Sequence, residues 1–502
     1  MTKPGFNLST FKEAGKSKNL EHASNWKYFA AASGEGYFTL QTSDTGDVPV
    51  RLFLTEDLLA NAEDNLYRQI VNATRFPGVK LVVITPDVHY GYGVPVGCVI
   101  LTDGDSGAVA MGPVGYDIGC GMMSARSEVE WDKATPDRKL EFNRAVMERV
   151  QMGAGGKSER MGSLSNSEFN NLVRGGAEYY VEKYGALFDR SRAERHRIPV
   201  DDDWDIPVGG KGKPERGMYQ LGSLGGGNHF IELQRSEMTN TLFVQVHTGS
   251  RGFGHGLATN YFELAREERP ENASDIDLGY FTPDSRHYHD YLNAVAAGGN
   301  YAILNRLIIF EQVAQAFHEV FHADLELIYE ISHNLVQKET HPQFGEVWVH
   351  RKGATRAFPA GHPSLEGTLW AESGHPVLIP GSNKDYSYIL RPLPGAAKSA
   401  YSVNHGAGRK LSRGQATRTL SQRHIDDEYA AAGVLVNLDG RVPLDEAAPA
   451  YKSSEEVLRA VVDAGLAQVE HKLWPLASLK GVEERARDKK RRGRRRKTSE
   501  HF

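Results

Sequence analysis

Five segments of this chain set glycine beside histidine, aspartate or cysteine: PDVHYGYG (86–93), DIGCGM (117–122), GGGNH (225–229), HTGSRG (247–252) and HGAGR (405–409). A glycine next to a reactive side chain lets the backbone approach a ligand closely and leaves N–H groups unshielded, an arrangement common around phosphates. One such segment is a turn. Five in one chain require a fold that gathers distant loops around a common ligand, and they account for part of the 52 glycines in 502 residues. The two cysteines, Cys98 and Cys120, argue against a disulfide framework and fit a reducing compartment. No apolar run reaches the ~18 residues of a membrane helix, and no apolar leader follows Met1. The expectation is a cytoplasmic protein with no membrane partner.

Between these segments the periodicity predicts helices over Glu56–Arg75, Asp132–Val150, Ser167–Tyr184, Asn300–Leu335 and Ser454–Gln468, and strands over Lys80–Thr85, Val96–Leu101 and Leu242–His247. Residues 188–220 are charged, rich in Pro and Gly, and read as a surface loop. Strands and helices interleave without a regular βαβ rhythm, so the class expected is α+β. From Val482 to Phe502 there are ten Lys/Arg against four Asp/Glu, whereas the whole chain carries a formal −5. That tail is expected to be disordered, and it either touches phosphates or serves only as a solvated extension.

Asp117 and Cys120 are separated by two residues on a glycine-rich turn, where both could reach one ion or the thiolate bridge two. His229 and His247 border apolar strand-like stretches, and His333 falls within the long predicted helix as Ser-His-Asn. Any single histidine among the 19 is more often a hydrogen-bonded structural residue; His89, His255, His341, His350 and His362 stay in that class. Imidazole with thiolate suits zinc, while carboxylate with phosphate suits manganese or magnesium.

Taken in order, GYDIGCGM, LGSLGGGNHFIEL, VQVHTGSRGFGH, HRKGATRAF, LIPGS and NHGAGRKLSR, with DVHYGYGVP before them and LKG after, resemble the motif series of the RtcB family of RNA-splicing ligases over roughly residues 80–481. The resemblance implies one large domain (46–481) of mixed β-sheets around a central dinuclear metal cleft with peripheral helices, between an N-terminal extension (1–45) and the basic tail (482–502). It implies two Mn²⁺ per subunit: Asp117, Cys120 and His229 match the ligands of one, and Cys120, His247 and His333 those of the other. His405 matches the histidine that attacks the α-phosphate of GTP and becomes guanylated; spacing alone would not separate it from a further metal ligand. Asn228, Phe230, Glu232, Asn334, Pro380, Gly381, Ser382, Asn383, Ser387, Gly406, Ala407, Gly408 and Lys480 fall where the family contacts the guanylate. Arg251 and Arg409 are candidates for RNA phosphate, with a structural ion pair the other reading of Arg409.

The implied activity joins an RNA 3′-phosphate or 2′,3′-cyclic phosphate end to a 5′-hydroxyl end, in RNA repair or tRNA splicing. A protein activator is neither implied nor excluded. The alternatives are a guanylyltransferase that caps or repairs 3′-phosphate ends without sealing them, and a metal-bound RNA-binding protein without catalysis. The chain departs from the family at two places: Asn383-Lys384-Asp385-Tyr386 stands where LIPGS is commonly followed by Met-Gly-Thr, and Asn404 precedes His405 where Cys or Ser is frequent.

Overall fold

A computed structural model describes residues 20–186, 188–189, 192, 197–269 and 276–481; the basic tail lies outside them. Two large sheets dominate. The first runs, in spatial order, Ala30–Ala32, Phe38–Leu40, Val50–Leu52, Val79–His89, Val96–Asp103, Gly345–Lys352 and Asn334–His341. The second runs Glu326–Ser332, Gly121–Glu130, Thr241–Thr248, Phe230–Ser236, Ala467–Lys480, Ser387–Pro392 and Val377–Ile379, with Leu435–Val436 added parallel to Ala467–Lys480. Most pairings are antiparallel, and the architecture is a mixed α/β assembly of several sheets and helices, one of the helices central.

The Tyr288–Phe321 helix is buried along nearly its whole length, with its buried Asn300, Asn305 and Arg306 hydrogen-bonded to neighbouring segments. It packs on Asn166–Tyr184, Pro136–Arg149 and Arg251–Glu268 and on the strands Gly121–Glu130 and Thr241–Thr248. It ends where His322 takes a left-handed conformation (φ 56°). The predicted helix over Asn300–Leu335 is therefore corrected. Residues 326–332 are a strand, and His333 sits not on a helix but at the point where the chain leaves the second sheet and enters the first. The strand is signalled by Leu325, Leu327, Tyr329 and Ile331, apolar and buried at every second residue, a period of two that the long helical run before it overshadows.

Glu56–Arg75 likewise divides into two short helices, Glu56–Ala60 and Leu66–Ala73. Asn61 closes the first with its side chain on Asp57 O (2.9 Å). The helix predicted to Gln468 stops at Asp463, and Gly465 (φ 67°) turns the chain into the long strand Ala467–Lys480. Among the described residues no helix is long and apolar enough to cross a membrane.

Candidate active site

The arrangement of four adjacent antiparallel strands explains why the ligand candidates converge. His333 follows the end of Glu326–Ser332, Cys120 precedes the start of Gly121–Glu130, His247 lies at the end of Thr241–Thr248, and His229 precedes the start of Phe230–Ser236. Neighbouring antiparallel strands present alternate ends at one edge of the sheet, so four side chains far apart in sequence meet there. Asp117 joins them from the turn before Cys120. Gly249 leaves it room: a Cβ there would lie 2.2 Å from Asp117 Oδ1.

Cys120 Sγ is 3.5 Å from His229 Nε2 and 3.3 Å from His247 Nε2. His229 Nε2 lies 3.0 Å from Asp117 Oδ2, and His247 Nε2 3.3 Å from His333 Nε2. The other nitrogens are committed elsewhere: His229 Nδ1 donates to Leu224 O (3.0 Å) and His247 Nδ1 to Asn228 O (3.1 Å). In the neutral rings each Nε2 therefore turns a lone pair toward carboxylate, sulfur or a second imidazole. Acceptors at these separations need a proton or a cation between them. Asp117, Cys120 and His229 form one group able to hold a metal, and Cys120, His247 and His333 another, with Cys120 common to both. The donor chemistry fits divalent cations.

Electrostatics agrees. Burial, then the neighbouring imidazoles, holds His247 and His333 well below the usual histidine range, which keeps them neutral and able to ligate. Burial, then the Asp117 carboxylate, pushes the Cys120 thiol well above its ordinary value; a bound cation reverses that preference.

A single guanidinium organises this edge. Arg306, on the central helix, is fully buried and ion-paired with Glu330. It also donates to Gly119 O (2.7 Å), Thr248 O (2.9 Å) and Ser332 Oγ (2.8 Å). Those three residues adjoin Cys120, His247 and His333. The adjacent Asn305 amide reaches Ser223 O and Gly249 O, both at 3.1 Å, and accepts from Gly222 N.

The ligand edge opens into a cavity of about 410 Å³, the size of a small-ligand pocket. Asp117, Cys120, His247, His333 and His405 line it, together with Asn228, Phe230, Glu232, Asn334, Pro380–Asn383, Gly406–Gly408, Arg409 and Lys480. His229 stands behind the metal-side wall. Ser387 stands behind Gly381, whose N–H it accepts (3.0 Å). Arg251 does not line the cavity, and its guanidinium donates to Gly153 O (3.0 Å) and Ser223 Oγ (3.2 Å). Arg409 lines it but is engaged with Leu411 O, Asp445 O, Tyr451 Oη and Glu446.

His405 follows the short strand Ser402–Asn404, with its ring 4.8 Å from that of His333. Its Nδ1 donates to Asp87 Oδ2 at 2.6 Å, and the same oxygen accepts from His405 N and Gly406 N. Nε2 is left as the basic atom of the ring. Asp87 is fully buried. Burial works to raise its carboxyl, but the His405 imidazole and the Thr85 hydroxyl outweigh it and hold the group below the usual range. Gly408, at φ 77°, passes so close to this strand that a Cβ would fall 2.0 Å from Asp87 O.

Several contributors escaped the sequence reading. Asp87 sits inside a quoted motif, but nothing local marks its partner 318 residues away. His89, set apart as structural, lines the cavity; burial, then the charge of His405 against it, brings it down to about 4 despite its hydrogen bond to Asp87 O. Glu446 belongs to no glycine-rich segment, yet it gathers Arg409 (3.4 Å), Arg413 and Lys480 (3.5 Å). Asp445 also pairs with Arg413 (3.3 Å), so three cations here face two carboxylates, with Glu232 lining the same cavity. His350, by contrast, is the structural residue expected, bridging Ile100 O and Ala110 N.

Comparison with known proteins points the same way. Residues 69–481 match the family model described as tRNA-splicing ligase RtcB. The tRNA-splicing ligase RtcB of Thermococcus kodakarensis is 34% identical over 463 residues, 86% of this chain and 95% of that protein. The protein of that name from Pyrobaculum aerophilum is also 34% identical, with the same shares covered. The RNA-splicing ligase RtcB of Mycobacterium tuberculosis is 36% identical over 439 residues, 82% of this chain and all of that protein.

Proposed function

This chain belongs to the RtcB family of tRNA-splicing ligases, and on that premise we propose that it joins RNA ends through a guanylated His405. The observation that carries the reading is the pairing of His405 Nδ1 with the buried Asp87 carboxylate beside the two ligand groups. This bond fixes the tautomer and aims the nucleophilic Nε2 away from Asp87. Asp117, Cys120 and His229 would hold one Mn²⁺, and Cys120, His247 and His333 a second. Bound there, the cations neutralise charge on the phosphates during transfer.

The chain's own groups do the rest. Asn228, Phe230, Glu232, Asn334, the Pro380–Asn383 loop, Ser387, Gly406–Gly408 and Lys480 form or support the guanylate cradle. His405 Nε2 attacks the α-phosphorus of GTP, forming an N–P bond as the bond to pyrophosphate breaks. Asp87 stabilises the cationic ring that results. An RNA 3′-phosphate oxygen then takes the guanylyl group from His405, and a 5′-hydroxyl displaces GMP to seal the strand. The cations Arg409, Arg413 and Lys480 supply the positive field for the phosphates.

The test is incubation of the full chain with Mn²⁺ and α-labelled GTP. Wild type is expected to retain acid-labile label on the protein, and His405→Ala none. An unlabelled wild-type protein overturns the reading. Adduct formation with guanylated RNA that never lengthens would replace ligation by end-capping.

A further inference from the structure

Asn383 stands where the resemblance leads one to expect methionine, and it lines the cavity. It is only 3% exposed. A polar side chain in place of an apolar one, buried at a ligand site, needs partners for both ends of its amide.

One end is accounted for. The Tyr429 hydroxyl accepts from Ala448 N (2.9 Å), so its hydrogen is turned to Asn383 Oδ1. An amide nitrogen carries no lone pair to receive it, so this bond sets the orientation of the amide. The other end, Nδ2, is buried without a hydrogen-bond partner.

The loop around it is fastened. Lys384 pairs with Glu428 (2.8 Å), and Asp385 accepts from Ser454 N (2.8 Å) and Tyr386 N (2.8 Å). The amide is held as a fixed donor rather than a group free to swing toward solvent. Glu232, 2% exposed and lining the same cavity, offers the complementary acceptor; Gln234 Nε2 donates to its Oε1 (2.7 Å). Its charge also bears on Tyr429, which places it in the same polar cluster.

We infer that Asn383 Nδ2 reads the 6-oxo group of the bound purine while Glu232 takes the N1–H and 2-amino donors of the same edge. A carboxylate acceptor beside an amide donor matches guanine and opposes adenine, whose 6-amino group and N1 reverse both partners. Asn383 is thus a specificity-determining residue that this chain has in place of the family's methionine. The inference rests on the GTP-using reading above.

The experiment measures dissociation constants of GTP, 6-thio-GTP and ITP for the full, Mn²⁺-loaded chain in a His405→Ala background, which binds nucleotide without being guanylated; the form with Asn383 intact serves as wild type. 6-Thio-GTP weakens only the acceptor at position 6, whereas ITP lacks only the 2-amino group. Wild type should prefer GTP over 6-thio-GTP by about five- to tenfold, the scale of one neutral hydrogen bond. In Asn383→Met that ratio should fall to within about twofold of unity while the GTP-to-ITP ratio holds. A purely structural role would weaken all three nucleotides together and leave both ratios intact, which overturns the inference. Asn383→Asp keeps an acceptor for Tyr429 but removes the donor, and it must lose the same ratio if the methionine variant does not fold. A wild type that binds no GTP would sink the functional reading instead, so the two failures are distinguishable.

Discussion

The cavity has two unlike halves. Where the candidate metal ligands gather, four of them hang from the edge of one sheet and Asp117 from the turn before it, with backbone carbonyls orienting His229 and His247 and Arg306 tying the segments beside Cys120, His247 and His333. On the side proposed to take the nucleotide, the parts come from loops and short helices: Pro380–Asn383, His405–Arg409, Glu446 and the end of Ala467–Lys480. The first half keeps the residues expected of the family at each ligand position; the second carries both departures, Asn383 and Asn404. A chemistry of cations tolerates little variation in donor type or distance. A base-reading edge, where single hydrogen bonds are exchanged, can be rewritten one side chain at a time.

The sharpest way to break this contrast is Cys120→Ser. Because one sulfur serves both ligand groups, both cations should be lost together, measured as metal per chain by mass spectrometry. Adduct formation should fall by more than the ~10–100-fold typical of a residue behind a ligand. Loss of one cation with retention of the other would show that Cys120 is not shared.

Arg306→Met should come next. It leaves Glu330 buried without its main cation, a change that costs about 3–5 kcal/mol, read as a shift in the urea midpoint. Residual folded protein should also bind metal more weakly, although residue 306 touches no ligand side chain. Asp87→Asn should then lower the rate of adduct formation by roughly 10²-fold with metal content unchanged, which separates the nucleophile from the ligand edge.

The smallest effect is a pH dependence confined to the nucleotide side. Burial, opposed by Gln234 and Lys480, raises the Glu232 carboxyl to about 7 from 4.5. Reading the purine donors needs the carboxylate, so GTP affinity should fall about tenfold per pH unit below 7, and Glu232→Gln should flatten the profile. For folding the sign is the reverse. The unfolded chain releases this proton first as pH rises, so the stability Glu232 contributes is present below about 4.5 and lost through 7. A flat wild-type profile would count against the assigned role.

What was readable beforehand divides along the same line. The five candidate ligands were named from the resemblance, on glycine-rich motifs such as DIGCGM and GGGNH, and the structure gathers them into two groups that could hold a metal. His333 was matched to a ligand position by resemblance but misplaced on a helix, since the helical run was extended across Leu325, Leu327, Tyr329 and Ile331, whose every-second-residue spacing is that of a strand. Asp87 and Glu446 were missed because each acts through partners distant in sequence, His405 in one case and Lys480 in the other. Arg306 lies in an unbroken helical run with no motif around it, and only the packing of that helix against three strand ends reveals its task. The strands Lys80–Thr85, Val96–Leu101 and Leu242–His247 emerged with longer bounds but the right type, because β-branched runs bounded by turns leave little choice.

The Arg306 clamp has a mechanical implication. Segments tied to a common rigid body share its displacements, so thermal motion of the central helix moves Cys120, His247 and His333 as a set and leaves their mutual distances nearly constant. The spacing of these three candidate ligands is kept by making the error common to all of them, rather than by holding each one still.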